Sequence, residues 1–495
     1  MKNVKPSIII SLSLMFIIWM FLSQVTNLNS FASTYDQVDF ALALERYDLL
    51  AMQPHFPGYP YFILGGYFVH LWVQDKAASL TVFNILLYTS AIIPMYKISR
   101  AHFSGAISLL VATLTYCSGF VVLMVNQPMS EGAAIAVLWW YVWSISVAWK
   151  KQSFWSQVNP LFLLSLLLGI RLSYLPFSIG VLFLLFKLWN IKQLPLKDMV
   201  PLGLLAVLFQ LLWVSGVALT EGGFVGFMKL ALSFTSGHFN EWGGAATSVD
   251  QSFFSRMYQL IIENIGWTGI GIRSFFLMSM FAVMFLYFIW SISWKRINSS
   301  YLFQLFTLLI VVYFLWVLFA QNVEKPRHII PLISLGTFCL FSMVFSKWKT
   351  TFMISFSFLL LSVQAYQTTL LLKEQASELP ATYQLGAYLE NYKGPFVIYA
   401  WEESRVFTYL DTSFPHKEIN TYSKFLHDQS YYKNKDILLT NSVLEGFRSQ
   451  GVDLTDKVEV VEQFSSNSLF DPVYHHIILY RWKGRGTNSI PTTSY

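Results

Sequence analysis

Apolar runs long enough to cross a bilayer, ~20 residues each, recur through the first three quarters of this chain. The pattern predicts spans over Pro6–Gln24, Ala78–Ile98, Phe103–Val125 and Gly132–Trp149. Leu161–Leu188 is too long for one helix and too short for two. It is interrupted by Gly169-Ile170-Arg171-Leu172-Ser173-Tyr174-Leu175-Pro176, which predicts two short helices joined at a break. Met199–Leu219, Trp267–Trp290, Tyr301–Phe319, Ile329–Phe345 and Phe352–Leu372 complete a set of about eleven helices by the length criterion. Gly58–Val73 is shorter and rich in glycine, which suits a re-entrant or interfacial helix.

Three segments between or after the spans exceed simple connectors. In residues 25–77, Phe40, Ala43, Leu44, Tyr47 and Leu50/Ala51 recur at helical spacing, predicting an amphipathic helix in the interface. Residues 220–266 hold Ser236-Gly237-His238-Phe239-Asn240-Glu241-Trp242-Gly243-Gly244 and a second amphipathic stretch, Gln251–Ile262. The tail, 373–495, is polar enough for a domain of its own. A helix over Leu379–Tyr392 and strands at Pro395–Ala400, Asp436–Thr440, Val458–Val461 and His476–Trp482 predict a small α/β fold. The fold class read here is therefore an all-α polytopic membrane domain (1–372) followed by an α/β domain (373–495).

Composition sharpens this reading. Hydrophobic residues form 55% of the 495-residue chain and charged ones 12%, about half the charge of an ordinary soluble domain. The net charge of +6 sits in scattered pairs with no basic stripe, which argues against nucleic acid. Lys2, Lys5, Lys97/Arg100, Lys150/Lys151, Lys192/Lys197, Lys295/Arg296 and Lys347/Lys349 fall on one side of the predicted spans. Asp36, Asp39, Glu45, Asp48, Glu131, Glu221, Glu241, Asp250, Glu263 and Glu324 fall on the other. Positive loops stay cytoplasmic, so this predicts a cytoplasmic N-terminus and an extracytoplasmic tail. Lys2, Lys5 and the small residues at Ser30-Phe31-Ala32 resemble a signal peptide, but the long apolar stretch favours an uncleaved anchor. Cys117 and Cys339 both lie within apolar runs, so no disulfide framework or cysteine metal cluster is available.

The candidate chemistry gathers on the outer side. Asp36 and Asp39 are three apart and share a helix face, where a carboxylate can act as general base or simply cap a helix. Lys325 and Arg327 keep cations at the outer lipid boundary, against the positive-inside trend. Phosphate binding or snorkelling accounts for them. Arg171 at its break either contacts an anion in a polar cavity or pairs with an acid such as Asp36. His55 and Tyr59 lie in a Pro/Gly turn, His238, Glu241 and Trp242 suit a sugar ring, and Glu131 lies in a short outer turn.

Asp36, followed by Gln53-Pro54-His55-Phe56-Pro57-Gly58-Tyr59-Pro60, resembles the GT-C superfamily of polyprenyl-phosphate-sugar-dependent glycosyltransferases. The nearest members are those that transfer mannose to protein or aminoarabinose to lipid. Arg327-His328-Ile329-Ile330-Pro331 is similar to the Arg-Tyr-Leu-Leu-Pro start of a late helix in that family. Phe56 and His328 depart from the pattern, and adjacent paired carboxylates are missing. The resemblance implies inverting transfer of a sugar from a polyprenyl-phosphate donor to a glycan, lipid or protein acceptor in the cell envelope. It implies Asp36 as base with Asp39 beside it, cations on the phosphate, and a divalent metal left open. The rival readings are a lipid-linked glycan ligase or polymerase, a transporter, which calls for matching broken helices in two halves, and a non-catalytic scaffold.

Overall fold

A computed structural model describes residues 4–151, 153–192, 195–249, 251–292 and 300–484. Lys2, Asp250, Lys295, Arg296 and the last eleven residues of the predicted tail domain lie outside the described residues. The chain divides into two compact units: Met1–Phe31 with Asp39–Ser377, and Ala32–Val38 with Glu378–Tyr495.

The first unit is a bundle of apolar helices. Eight helices among the described residues are long and apolar enough to cross a membrane, and two bent pairs bring the number to ten. Phe154–Ile170, at 17 residues, is a further apolar helix just below that length. The chain is thus a multi-pass membrane protein, and the expected helix content holds.

Several predicted boundaries move, each for a local reason. Phe103–Val125 is two helices, Gly105–Tyr116 and Gly119–Val125, bent by 61°. The arms of the Arg171 break are longer than expected. Ser153 caps the first arm, its Oγ accepting from the Ser156 N–H, and the second reaches Lys192. Together Leu172–Ser178 and Ile179–Lys192 make a span of 21 residues, so these are not half-length helices. The predicted span from Trp267 begins at Phe275. Ile272 and Arg273 adopt positive φ (44° and 57°), which turns Phe253–Ile270 through 105° against Phe275–Ser291. Pro60–His70, with 11 residues, is too short to span, as the Gly58–Val73 pattern indicates.

The amphipathic helix expected over Phe40–Ala51 lies earlier, at Tyr35–Ala43. A capping box starts it: Gln37 N–H donates to Thr34 Oγ1 (3.4 Å) and Thr34 N–H to Gln37 Oε1 (3.2 Å). Beyond Ala43, the Asp48 carboxylate accepts from Leu50 and Ala51 N–H, 3.1 Å each, and folds the chain into turns.

The second unit is a five-stranded sheet with β1 Phe396–Ala400, β2 His416–Glu418, β3 Asp436–Thr440, β4 Val458–Ser465 and β5 His476–Trp482. Its order is β2-β1-β3-β5-β4. β1 is parallel to β2 and β3, while β5 is antiparallel to β3 and β4. Alternation divides β1 between two cores: Phe396, Ile398 and Ala400 pack with Leu385 and Phe407, and Val397 and Tyr399 with Phe425 and Phe447. Only the short β2 is absent from the sequence reading. Asp428 ties the second crossover, accepting from Lys417 Nζ (2.8 Å) and Tyr399 Oη (2.7 Å). Burial works to raise its carboxyl, but those two bonds outweigh it and hold the group below its ordinary value. The stretch Ala32–Val38 is stitched to this unit: Ala32 N–H donates to Tyr383 Oη (3.0 Å) and Thr382 Oγ1 to Ser33 O (3.3 Å).

Candidate functional site

Two side-chain clusters in the membrane unit gather most of the predicted residues. The first is built by the turn between the helices ending at Ala43 and starting at Pro60. Asp39 is fully enclosed, and its Oδ2 lies 3.1 Å from His55 Nδ1. His55 Nε2 in turn lies 2.8 Å from Tyr59 Oη. Phe40 packs edge-on against Tyr59 (4.7 Å), and Phe234 stacks on His55 (6.1 Å). The turn is forced into shape. Gly58 has φ 93°, and its carbonyl accepts from Tyr47 Oη at 2.9 Å, where a side chain at Gly58 would collide with that hydroxyl. Tyr59 itself adopts the left-handed region (φ 47°), a cost that a non-glycine residue bears only when its surroundings hold it there.

Phe234 carries the contact onward. Trp242 meets it edge-on at 4.6 Å and meets His238 at 5.5 Å. His238 Nε2 donates to the Ala320 carbonyl (2.9 Å). His55, Tyr59, His238 and Trp242 are thus joined by one aromatic chain, with Trp242 half exposed at 53%. Glu241 is exposed and stands outside that chain.

The second cluster is charged. Arg171 occupies an extended position (φ −155°, ψ 102°) between two helices, and both it and Glu131 are buried. Arg171 Nη2 lies 3.0 Å from Glu131 Oε1 and Arg327 Nε 3.3 Å from the same oxygen. Arg171 Nη1 also donates to Ser130 Oγ (2.8 Å). Neither guanidinium approach to Oε1 is a well-aligned hydrogen bond, and Oε2 has no hydrogen-bond partner among the described residues. The attraction is therefore chiefly Coulombic. Two guanidiniums thus converge on one carboxylate oxygen, and the Arg327 side chain keeps 20% exposure. Lys325 lies two residues away, half-buried.

The elements explain the placement. Asn84 Nδ2 donates to the carbonyls of Gln127 and Met129, 2.8 Å each, fixing the turn that carries Glu131. Tyr313 Oη donates to His328 O (3.2 Å) and Asn264 Nδ2 to Val323 O (2.6 Å), holding the turn that carries Arg327. The Arg171 partner is thus Glu131, not the Asp36 that the sequence offered as one alternative. Glu131 enters the site although its sequence signal was only an acid at the start of a span. Asn84 gave no signal, since a lone amide inside an apolar run reads as neutral.

Asp36 lies in the first turn of Tyr35–Ala43. It is half-buried, and the unit boundary runs through its helix: Asp36 counts with the tail, Asp39 with the membrane unit. Among the described residues no three His, Cys, Asp or Glu side chains converge to hold a metal ion.

No protein-family model and no curated protein matches this sequence. Its structure is nonetheless similar to ArnT from Cupriavidus metallidurans bound to undecaprenyl phosphate. The TM-score is 0.56 at 11% identity, over 94% of this chain and 97% of that one. It is also similar to the Archaeoglobus fulgidus oligosaccharyltransferase in its apo form (TM-score 0.53, 11% identity, 88% of this chain and 69% of that one). The oligosaccharyltransferase AglB of the same organism, in complex with an inhibitory peptide and a dolichol-phosphate, gives a TM-score of 0.51 at 11% identity, over 87% and 69%. The fold is thus shared with ArnT and with the Archaeoglobus fulgidus oligosaccharyltransferase.

Proposed function

We propose that this GT-C-fold chain is a membrane glycosyltransferase moving a sugar from a polyprenyl-phosphate donor to an extracytoplasmic hydroxyl acceptor. The observation that carries the reading is the Arg171–Glu131–Arg327 cluster, two guanidinium groups brought together at a helix break in a fold shared with ArnT. Guanidinium forks match phosphate oxygens, and burial strengthens the attraction. The neighbours bound to undecaprenyl phosphate or dolichol-phosphate support that ligand class.

The reaction is a single displacement. The acceptor oxygen attacks the anomeric carbon and the carbon–phosphate oxygen bond breaks, so the anomeric centre inverts. The acceptor proton passes to Asp36, and the polyprenyl phosphate leaves with the electron pair, its charge met by Arg171 and Arg327. His238 and Trp242 offer a sugar ring a hydrogen-bonding and a stacking face. Cytoplasmic placement of Lys97, Arg100, Lys150, Lys151, Lys347 and Lys349 puts the tail outside.

The test is transfer from a polyprenyl-phosphate sugar by the full chain in vesicles. Asp36→Asn keeps the shape and removes the basicity. Turnover should fall by about two to four orders of magnitude while polyprenyl-phosphate affinity holds. Full activity in that variant would overturn Asp36 as base.

A further inference from the structure

The helix Tyr301–Ala320 stops just before the turn that carries Arg327. A helix end leaves its last carbonyls without intrahelical donors. Gln321 is extended (φ −119°, ψ 157°), so no further helical turn follows to cap them. The donors come from residues 238–264 instead. Arg256 Nε donates to Leu318 O, Ala246 N–H to Phe319 O (2.9 Å) and His238 Nε2 to Ala320 O (2.9 Å). The row continues past the helix, where Arg256 Nη2 donates to Gln321 O and Asn264 Nδ2 to Val323 O (2.6 Å). Between these two, Asn322 O accepts from Lys325 N–H (3.3 Å) within the turn itself.

Arg256 is the centre of the row. It lies on the short helix Phe253–Tyr258, which Ser252 starts by accepting from Ser255 N–H (3.2 Å), and it is 3% exposed. Its Nη2 also donates to Gly244 O (3.0 Å), so one guanidinium bridges both sides of the contact. Its acceptors are main-chain carbonyls and not a carboxylate. A helix C-terminus is the negative end of the backbone dipole, which is where such a cation is tolerated. The planar fork reaches several carbonyls at once, as a point charge does not. Gly244 is fitted to the same contact: its φ is 64°, and a side chain there would fall 2.5 Å from Asn322.

The row ends where the charged cluster begins. Lys325 O accepts from His328 N–H (3.2 Å), Tyr313 Oη donates to His328 O (3.2 Å), and the intervening Arg327 reaches Glu131. We propose that Arg256 is a positioning residue. As the cap of Tyr301–Ala320 it fixes the turn from Gln321 to His328, and so holds the Arg327 guanidinium at Glu131 for the donor phosphate. The donor half of the statement rests on the function proposed above, whereas the cap does not.

Arg256→Ala leaves a space that free guanidinium can refill. Polyprenyl-phosphate affinity of the full chain in detergent should fall about tenfold in this variant. Guanidinium ion, at a concentration that leaves the wild type unchanged, should restore most of it. Arg256→Lys should stay impaired, because an ammonium lacks the fork. Arg256→Ala combined with Arg327→Ala should bind no more weakly than Arg327→Ala alone, because the cap acts through Arg327. If Arg256→Ala does not fold, Asn264→Leu decides. It withdraws only the Val323 bond and should weaken binding about threefold, again with no further loss beside Arg327→Ala. Wild-type affinity in the variant that decides overturns the proposal, as do losses that multiply with Arg327→Ala. A loss in Arg256→Ala that guanidinium does not restore overturns it as well. A wild type that binds no polyprenyl phosphate, with guanidinium still raising the Tm of Arg256→Ala, sinks the functional reading and leaves the cap standing.

Discussion

Two of the helix breaks in the membrane unit are repaired with different materials. At Cys117–Ser118 the helix bends by 61° and its loose carbonyls meet neutral amides: Gln364 Nε2 donates to Cys117 O, and Gln375 Nε2 to Leu123 O (3.3 Å). Gln24 Nε2 and Asn126 Nδ2 extend the same network, to Val122 O and Asn27 O. The second break, at Arg171, is filled with charge. Neutral amides satisfy a broken backbone and leave no net charge. At the Arg171 break two guanidiniums converge on one carboxylate, a grouping of charges that is costly in a membrane bundle unless closely paired. The first break is architecture. The second gathers charged groups of a kind that pair with anions.

That contrast gives the largest expected effect. Glu131→Ala removes the anion beside the buried Arg171 and the half-buried Arg327, so the fold should lose about 3 kcal/mol, the typical penalty for orphaning a buried charge. Thermal unfolding of the full chain in detergent measures it. Inorganic phosphate, taking the place of the carboxylate, should recover part of the loss. An equal loss with and without phosphate would reduce the charged break to architecture as well.

The two breaks also differ in how visible they are along the chain. Arg171 announces its break, because an arginine and a proline five residues later cannot continue an apolar helix unnoticed. The Cys117 break has no local signal, and Phe103–Val125 reads as one span. Its explanation, Gln364, lies 247 residues away. The same limit applies across the site. Arg171, Arg327, His55 and Tyr59 stand out by residue type and position. Glu131 is an unremarkable acid until Asn84 and the two arginines meet around it. The tail reads well because β1, β3 and β5 carry unbroken apolar runs, whereas β2 has only three residues and little apolar character. The Tyr35 helix reads five residues late because Thr34 and Gln37 start it, and neither is apolar.

Arg327→Lys gives the next effect. It keeps the charge of the second break but loses the planar fork that can grip two phosphate oxygens at once. Donor affinity should fall about tenfold while stability changes little, because a lysine still balances Glu131. The substitution at this position separates recognition from charge. Titration of the purified variant with polyprenyl phosphate checks it. Wild-type affinity in both the Lys and Ala variants would place phosphate binding elsewhere.

The smallest effect belongs to the neutral break. Gln364→Leu keeps the bulk of the side chain and withdraws the donor from Cys117 O, a carbonyl in an apolar interior with little access to water. Hydrogen bonds inside membrane bundles contribute about 0.6 kcal/mol on average and reach about 1.7. A loss of about 1 kcal/mol in unfolding stability is therefore expected. Cys117 is part of a network that holds no net charge, so phosphate should not restore the stability and polyprenyl-phosphate affinity should stay at the wild-type value. If Gln364→Leu instead weakened donor binding as far as Arg327→Lys does, the amide network would be coupled to the ligand, and the division between an architectural and a charged break would fall.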